Sequence, residues 1–120
     1  MRFFKYGETA DSKFTFLDPL TNQPIDINSA QYTIVHYNGA TEVIDVSTTS
    51  LTKLTGKTGE YVCSWLIPGT VPENETYFVI ATGERFDHTV AHMEDFYRVV
   101  PENFFPGSGG LGMSIKFTKP

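Results

Sequence analysis

The sequence predicts an all-β fold, an antiparallel two-layer β-sandwich followed by a C-terminal extension. Short segments alternate apolar and polar residues with the period of two that strands require. Ten glycines and seven prolines are spread along the chain, as expected where turns connect many short strands. No window shows the apolar stripe of an amphipathic helix. We therefore expect almost no helix.

The predicted strands follow from this alternation, beginning near the N-terminus. Phe3 to Tyr6 forms either a first edge strand or an arm that lies on a neighbouring subunit. The turn cluster from Asp18 to Pro24 separates the predicted strand Lys13–Leu17 from Ile25–Ile27. The later strands are predicted over Lys13–Leu17, Gln31–Tyr37, Glu42–Ser47, Leu51–Leu54, Gly59–Leu66, Thr76–Thr82 and Thr89–Val100.

Three local patterns refine this order. Asn38-Gly39 favours a hairpin, because both residues tolerate positive φ. Thr76–Thr82 is the most hydrophobic strand and is predicted to be central. Thr89–Val100 is either one long strand or two strands that meet at a bulge near Met93–Asp95.

The segment from Gly59 to Trp65 predicts how the core is built. Tyr61, Cys63 and Trp65 share one face of its strand and are predicted to point inward. In immunoglobulin-like sandwiches, a tyrosine two residues before the second cysteine marks a strand corner, where its hydroxyl bonds nearby backbone. The Gly-x-Tyr-x-Cys run is similar to that corner and predicts an immunoglobulin-like sandwich of about seven or eight strands. The predicted core residues are Tyr61, Cys63, Trp65, Phe14 and Phe16.

A single domain over residues 1–103 is expected, with residues 104–120 as a glycine-rich linker and a C-terminal strand or arm. Gly107–Gly112 is flexible in composition, and Met113–Phe117 alternates like a strand. Apolar residues in this tail need burial, either on their own sandwich or on another subunit. The sequence leaves both alternatives open. The predicted interface residues are Phe3, Phe4, Phe104, Phe105, Leu111, Met113, Ile115 and Phe117.

Charge and composition limit the function classes. The net charge is −5, and the window from Glu73 to Glu102 holds seven acids against two bases. This balance argues against a nucleic-acid partner. No signal-peptide core and no membrane-spanning apolar run is present. The lone Cys63 at an inward position fits a small buried apolar residue in a protein made in a reducing cytoplasm.

The motifs that resemble reactive sites fail on their context. Gly107–Gly112 fits G-x-G-x-x-G, but no helix or acid follows it, so it predicts a linker and no dinucleotide cofactor. His88 and His92 lie about 13 Å apart in a straight strand, too far for one metal ion even with Glu94 and Asp95 nearby. Cys63 has no basic neighbour and no helix N-terminus to activate it. We expect no catalytic residue, no metal and no cofactor.

Aromatic residues on a β-sandwich also bind sugars, which gives an alternative function as a carbohydrate-binding module. Alternation places most of these residues in the core, and the one tryptophan is predicted to be internal. The available rings are those of Tyr32, Tyr37, Tyr77, Phe86, Phe96 and Tyr97.

The order of several segments resembles a known group of viral proteins. The segments that carry this resemblance are Tyr6-Gly7-Glu8, Phe14–Asp18, Pro24–Ile27, Thr58–Trp65 and the closing Glu94–Val99. Over residues 3–100 this order is similar to small immunoglobulin-like domains in virion proteins of tailed bacteriophages, such as capsid decoration, neck, head-fibre and baseplate-adaptor proteins. The resemblance implies a non-enzymatic virion structural protein, made in the bacterial cytoplasm. It would dock on capsid, neck or tail subunits through its sandwich edge and terminal arms, as a homo-oligomer or within a larger assembly. It implies no catalytic residues.

Overall fold

The computed structural model describes residues 1–85 and 90–104, and within these ranges the chain forms eight strands and no helix. Nothing in the described ranges is a helix long and apolar enough to cross a membrane. The all-β prediction is confirmed. The strands are β1 Arg2–Phe4, β2 Thr9–Thr15, β3 Ser29–Asn38, β4 Thr41–Ser50, β5 Thr52–Lys53, β6 Glu60–Leu66, β7 Glu75–Glu84 and β8 Val90–Val99.

The strands form two sheets that face each other. The larger sheet has the order β1-β8-β7-β3-β4, and the smaller has the order β2-β6-β5. In immunoglobulin nomenclature the larger sheet contains strands G, F, C and C′, and the smaller contains B, E and D. Every pair is antiparallel except β1 with β8, which run parallel. The predicted immunoglobulin-like sandwich is therefore confirmed.

β7 lies in the middle of the larger sheet, as its hydrophobicity predicted. Its inward residues Tyr77, Val79 and Ala81 are fully buried. The register between β7 and β8 is continuous from Glu75↔Val99 to Glu84↔Val90, so the alternative of one long strand is correct and the bulge is absent. Irregular register occurs instead between β3 and β4, where β4 carries the extra residues.

The core fills the space between the sheets. Four of the five residues predicted for it, Phe14, Phe16, Tyr61 and Cys63, are buried there. Trp65 is only partly buried and packs against the cluster, with its ring 5.5 Å from that of Tyr77. The other buried members are Ala10, Tyr32, Ile34, Leu51, Ile67, Tyr77, Val79, Ala81, Tyr97 and Val99.

The predicted tyrosine corner is misplaced. Tyr61 and Cys63 lie on β6, which corresponds to strand E, and the Tyr61 hydroxyl reaches the distant backbone of Ile27, whose amide donates to it at 3.0 Å. The corner is formed by Tyr77 at the start of β7, whose hydroxyl donates to the carbonyl of Pro72 at 2.5 Å. The position two residues later, where a cysteine would stand, is Val79. The sequence signal was therefore missing at the true corner.

β2 begins earlier than predicted, at Thr9, and ends at Thr15. Its inward residues Ala10 and Ser12 are buried although one is small and the other polar. Hydrophobic alternation could not detect them. Ile25–Ile27 forms no strand; the connection there contributes only the isolated bridge Leu17↔Pro24.

The terminal segments differ from the predicted arms where the structure describes them. β1 is an edge strand, which was one of the two alternatives. Phe4 contacts Tyr97 edge-on at 5.2 Å and packs against the core while staying partly exposed, and its place in an interface stays a prediction. Phe3 contacts Phe104, with ring centroids 4.9 Å apart. The predicted linker and strand, with Phe105, Leu111, Met113, Ile115 and Phe117, lie outside the described residues.

Candidate interaction surfaces

The larger sheet carries apolar side chains on its outer face as well as its inner one. Phe78 is in register with Val35 on β3 and with Phe96 on β8, and Val35 is in register with Ile44 on β4. Residues that pair in this way project from the same face of a sheet. The four side chains therefore form a row across four strands, on the side away from the core.

Aromatic rings extend this row into a patch. Tyr37 meets Phe78 edge-on at 5.8 Å, and the rings of Phe78 and Phe96 are 6.3 Å apart. We call Tyr37, Ile44, Phe78 and Phe96 the outer aromatic patch. Val35 in its centre is only 1% exposed although it faces outward, because the surrounding side chains cover it.

The rest of the patch is accessible to a partner. Phe96 is 48% exposed, Tyr37 43% and Ile44 58%. Acidic groups flank it: the Tyr37 hydroxyl points to Glu42, and Glu94 pairs with His92 beside Phe96. Apolar side chains surrounded by polar groups on a regular sheet face are typical of a protein-binding surface.

Sequence reasoning named Tyr37 and Phe96 only among sugar-binding alternatives and missed the patch as a unit. The signal was present in the unbroken apolar run of β7. A strand with one solvent-exposed face alternates apolar and polar residues, whereas Tyr77 to Ala81 is apolar at every position. Such a run indicates that both faces of the strand are covered.

A buried polar cluster lies on the opposite side of the same strands. His36 Nδ1 and Asp45 Oδ2 are 2.7 Å apart, with side chains 7% and 6% exposed. The irregular register of β4 brings Asp45 to this position. The His36 ring lies 5.1 Å from the ring of Tyr77, and burial together with the Asp45 charge raises the pKa of that phenol. The pair satisfies two polar groups that would otherwise be costly to bury.

Two reactive side chains of the described residues, Cys63 and His36, are buried. Burial raises the pKa of Cys63 to about 11, with Asp95 and Asp11 contributing to the same direction, so the thiol is protonated at neutral pH. His36 is 5% exposed, which leaves no room for a substrate at its ring. In the described ranges no three potential metal-ligating side chains lie together; His88 and Phe86 are outside those ranges.

A second surface lies at the open side of the sandwich, between β8 and β2. Asp95 links three strands there. Its carboxylate pairs with Arg2 of β1 and accepts a hydrogen bond from the buried Ser12 of β2 at 2.7 Å. A groove of about 460 Å³ runs beside this cluster, lined in part by Lys13, Phe14 and Met93. We call it the edge groove.

No protein-family model matches the chain, and no curated protein matches it. Among solved structures that match is that of murine CRIg, at 10% sequence identity and a TM-score of 0.45, covering 84% of this chain and 91% of that one. No functional conclusion follows from similarity at this level.

Proposed function

We propose that this chain is a non-enzymatic structural protein of a tailed-bacteriophage virion, which docks on neighbouring protein subunits through the outer aromatic patch. The observation that supports this proposal is the exposure of the rings in the outer aromatic patch. Rings on a regular sheet that are about half exposed lose that exposure only when another surface covers them. The arrangement of segments that resembles phage virion domains supplies the context.

The free energy gained by burying one exposed ring is large enough for docking through a few side chains. If a partner covers the exposed half of the Phe96 ring, about 100 Å² leaves water, given the ~200 Å² that an aromatic side chain buries. At ~25 cal/mol per Å², that burial contributes about 2.5 kcal/mol before ordering costs. Contributions of this size are typical of the central residues of an interface.

The buried state of the reactive groups supports a non-enzymatic role. Cys63 is a protonated thiol inside the core, and His36 and Asp45 satisfy each other away from solvent. Their positions fit a contribution to folding rather than to chemistry.

The test is association with assembled particles. A tagged chain is produced together with the other proteins encoded by the same viral genome, and particles are separated on a density gradient. We expect the wild type to sediment with the particles, and Phe96→Ser to reduce its occupancy at least tenfold, as the loss of about 1.4 kcal/mol or more requires.

The matched control is Leu66→Ser. Leu66 is 65% exposed and lies on β6 of the smaller sheet, away from the patch. We expect this variant to sediment like the wild type. Equal losses for the two variants would assign the effect to general surface hydrophobicity, and a wild-type chain that never sediments with particles would overturn the proposal.

A carbohydrate-binding role is the second candidate, and the exposed rings of Tyr37 and Phe96 are the observation that favours it. Titration with soluble polysaccharides separates the two. Saturable binding that is lost in Phe96→Ser, from a chain absent from particles, would favour the sugar-binding role.

A further inference from the structure

β8 is covered by another strand along only part of its outer edge. β1 pairs with Tyr97, Arg98 and Val99, the last three of its residues. No strand within residues 1–85 or 90–104 pairs with the outer edge from Val90 to Phe96. The amide of Phe96 donates instead to the side chain of its neighbour Asp95, at 2.9 Å.

This edge offers regular backbone hydrogen-bonding groups. Since backbone groups alternate in direction along a strand, the amides of Glu94 and His92 point to the same side as that of Phe96. Unpaired groups of this kind are a template for another strand. The edge groove lies next to them, with apolar Phe14 and Met93 in its lining.

The described chain ends close to this edge. Phe104 contacts Phe3, and Phe3 is in register with Arg98. Arg98 is four residues from Glu94, about 13 Å along a strand. The eight residues 105–112 span up to about 26 Å when extended, so the segment that follows them reaches the open edge.

The segment Met113–Phe117 has the composition that this edge would accept. Met113, Ile115 and Phe117 alternate with Ser114 and Lys116, so one face is apolar and the other polar. Residues 105–120 contain two lysines and no acid, whereas residues 1–104 carry a net charge of −7. The two parts therefore carry net charges of opposite sign.

We propose that Met113–Phe117 adds to the open edge of β8 in its own subunit, as an antiparallel strand with its apolar face towards the edge groove. The antiparallel direction takes the shortest path, because the chain leaves near Arg98 and runs back towards Glu94, against the direction of β8. A short linker gives the segment an effective concentration in the millimolar range, which favours its own edge over that of a neighbour. This proposal is independent of the outer aromatic patch.

Amide hydrogen exchange by NMR on the full chain tests it. We expect the amides of Glu94 and His92 to exchange at least about tenfold more slowly than unpaired amides, because strand pairing protects them. Ile115→Asp places a charge on the apolar face and removes that protection. Ser114→Asp places the same charge on the polar face and keeps it. Fast exchange of both amides in the wild type would overturn the proposal.

The same measurement on a dilution series shows whether the added strand comes from the same subunit or from a second copy of the chain. Protection that does not change with protein concentration, in a chain that light scattering shows to be monomeric, supports docking within one subunit. Protection that disappears on dilution would assign the strand to a second copy and overturn the proposal as stated.

Discussion

Gly59 lies directly before β6 and packs against the backbone of Phe16 and Ile25, in the connection that precedes β3. Replacing it with alanine tests whether this close approach is needed for stability. Its φ of +74° lies in the left-handed region, and an added Cβ would lie 2.8 Å from both N and O of Ile25 and 2.9 Å from O of Phe16. All three are backbone atoms, and two of them are hydrogen-bonded to each other, since the Ile25 amide donates to the Phe16 carbonyl at 2.9 Å. They cannot move aside without losing that bond.

Two contributions add up in Gly59→Ala. A non-glycine residue in the left-handed region costs about 1 kcal/mol. Displacing the backbone of the loop weakens the Phe16–Ile25 bond and the 2.9 Å bond that the Phe16 amide donates to the Gly59 carbonyl. At about 1 kcal/mol per hydrogen bond, the total loss of unfolding free energy is about 3 kcal/mol. That is a large fraction of the stability of a domain of this size.

Gly56→Ala is the matched control. Gly56 has a φ of +78°, and nothing lies within 4 Å of the place that an added Cβ would take, so only the conformational cost of about 1 kcal/mol applies. Urea unfolding followed by tryptophan fluorescence measures both variants. A difference of about 2 kcal/mol is expected; losses equal within about 0.5 kcal/mol would refute the close approach as the cause.

Three further predictions concern the core and the strand edge. Tyr77→Phe removes the bond to the Pro72 carbonyl and is expected to lower the unfolding free energy by about 1–2 kcal/mol in urea titrations; an unchanged midpoint would contradict the corner assigned to Tyr77. Burial raises the pKa of Cys63 from 9.0 to about 11, so the unfolded chain releases this proton first, and stability present below pH 9 is lost as the pH rises towards 11. Cys63→Ala should show a smaller loss over that pH range, and an equal loss would exclude the thiol as a contributor. Asp95→Ala leaves the buried Ser12 hydroxyl without its acceptor and is expected to cost about 2 kcal/mol by thermal unfolding, whereas no change in midpoint would show that the bond between Ser12 and Asp95 does not stabilise the fold.

The fold class could be predicted because it depends on patterns that are local in sequence. Period-two alternation, the Asn38-Gly39 signal and the hydrophobicity of β7 each act over a few residues. They predicted the all-β class, the hairpin between β3 and β4 and the central place of β7, although the loop of the hairpin is Gly39-Ala40 and Asn38 is the last residue of β3. The limits of β2 could not be predicted, because Ala10 and Ser12 carry no hydrophobic signal. Their burial results from the sheet that covers them.

The position of the tyrosine corner could not be predicted either, because it depends on strand pairing. Tyr61 and Tyr77 both lie near the start of a strand, and the cysteine two residues after Tyr61 favoured the wrong one. Only the sheet order, with β7 beside β3 and β6 beside β2, distinguishes strand F from strand E. Strand pairing is a long-range property that no short motif contains.

The sequence by itself determined that this chain forms a β-sandwich, because side-chain alternation and turn chemistry act between near neighbours. The tertiary structure alone decided which side chains remain on the surface. Tyr37, Ile44, Phe78 and Phe96 come from four different strands and form one patch only after pairing sets their register. The candidate interaction surface is therefore a product of sheet topology, which brings together residues that are far apart along the chain.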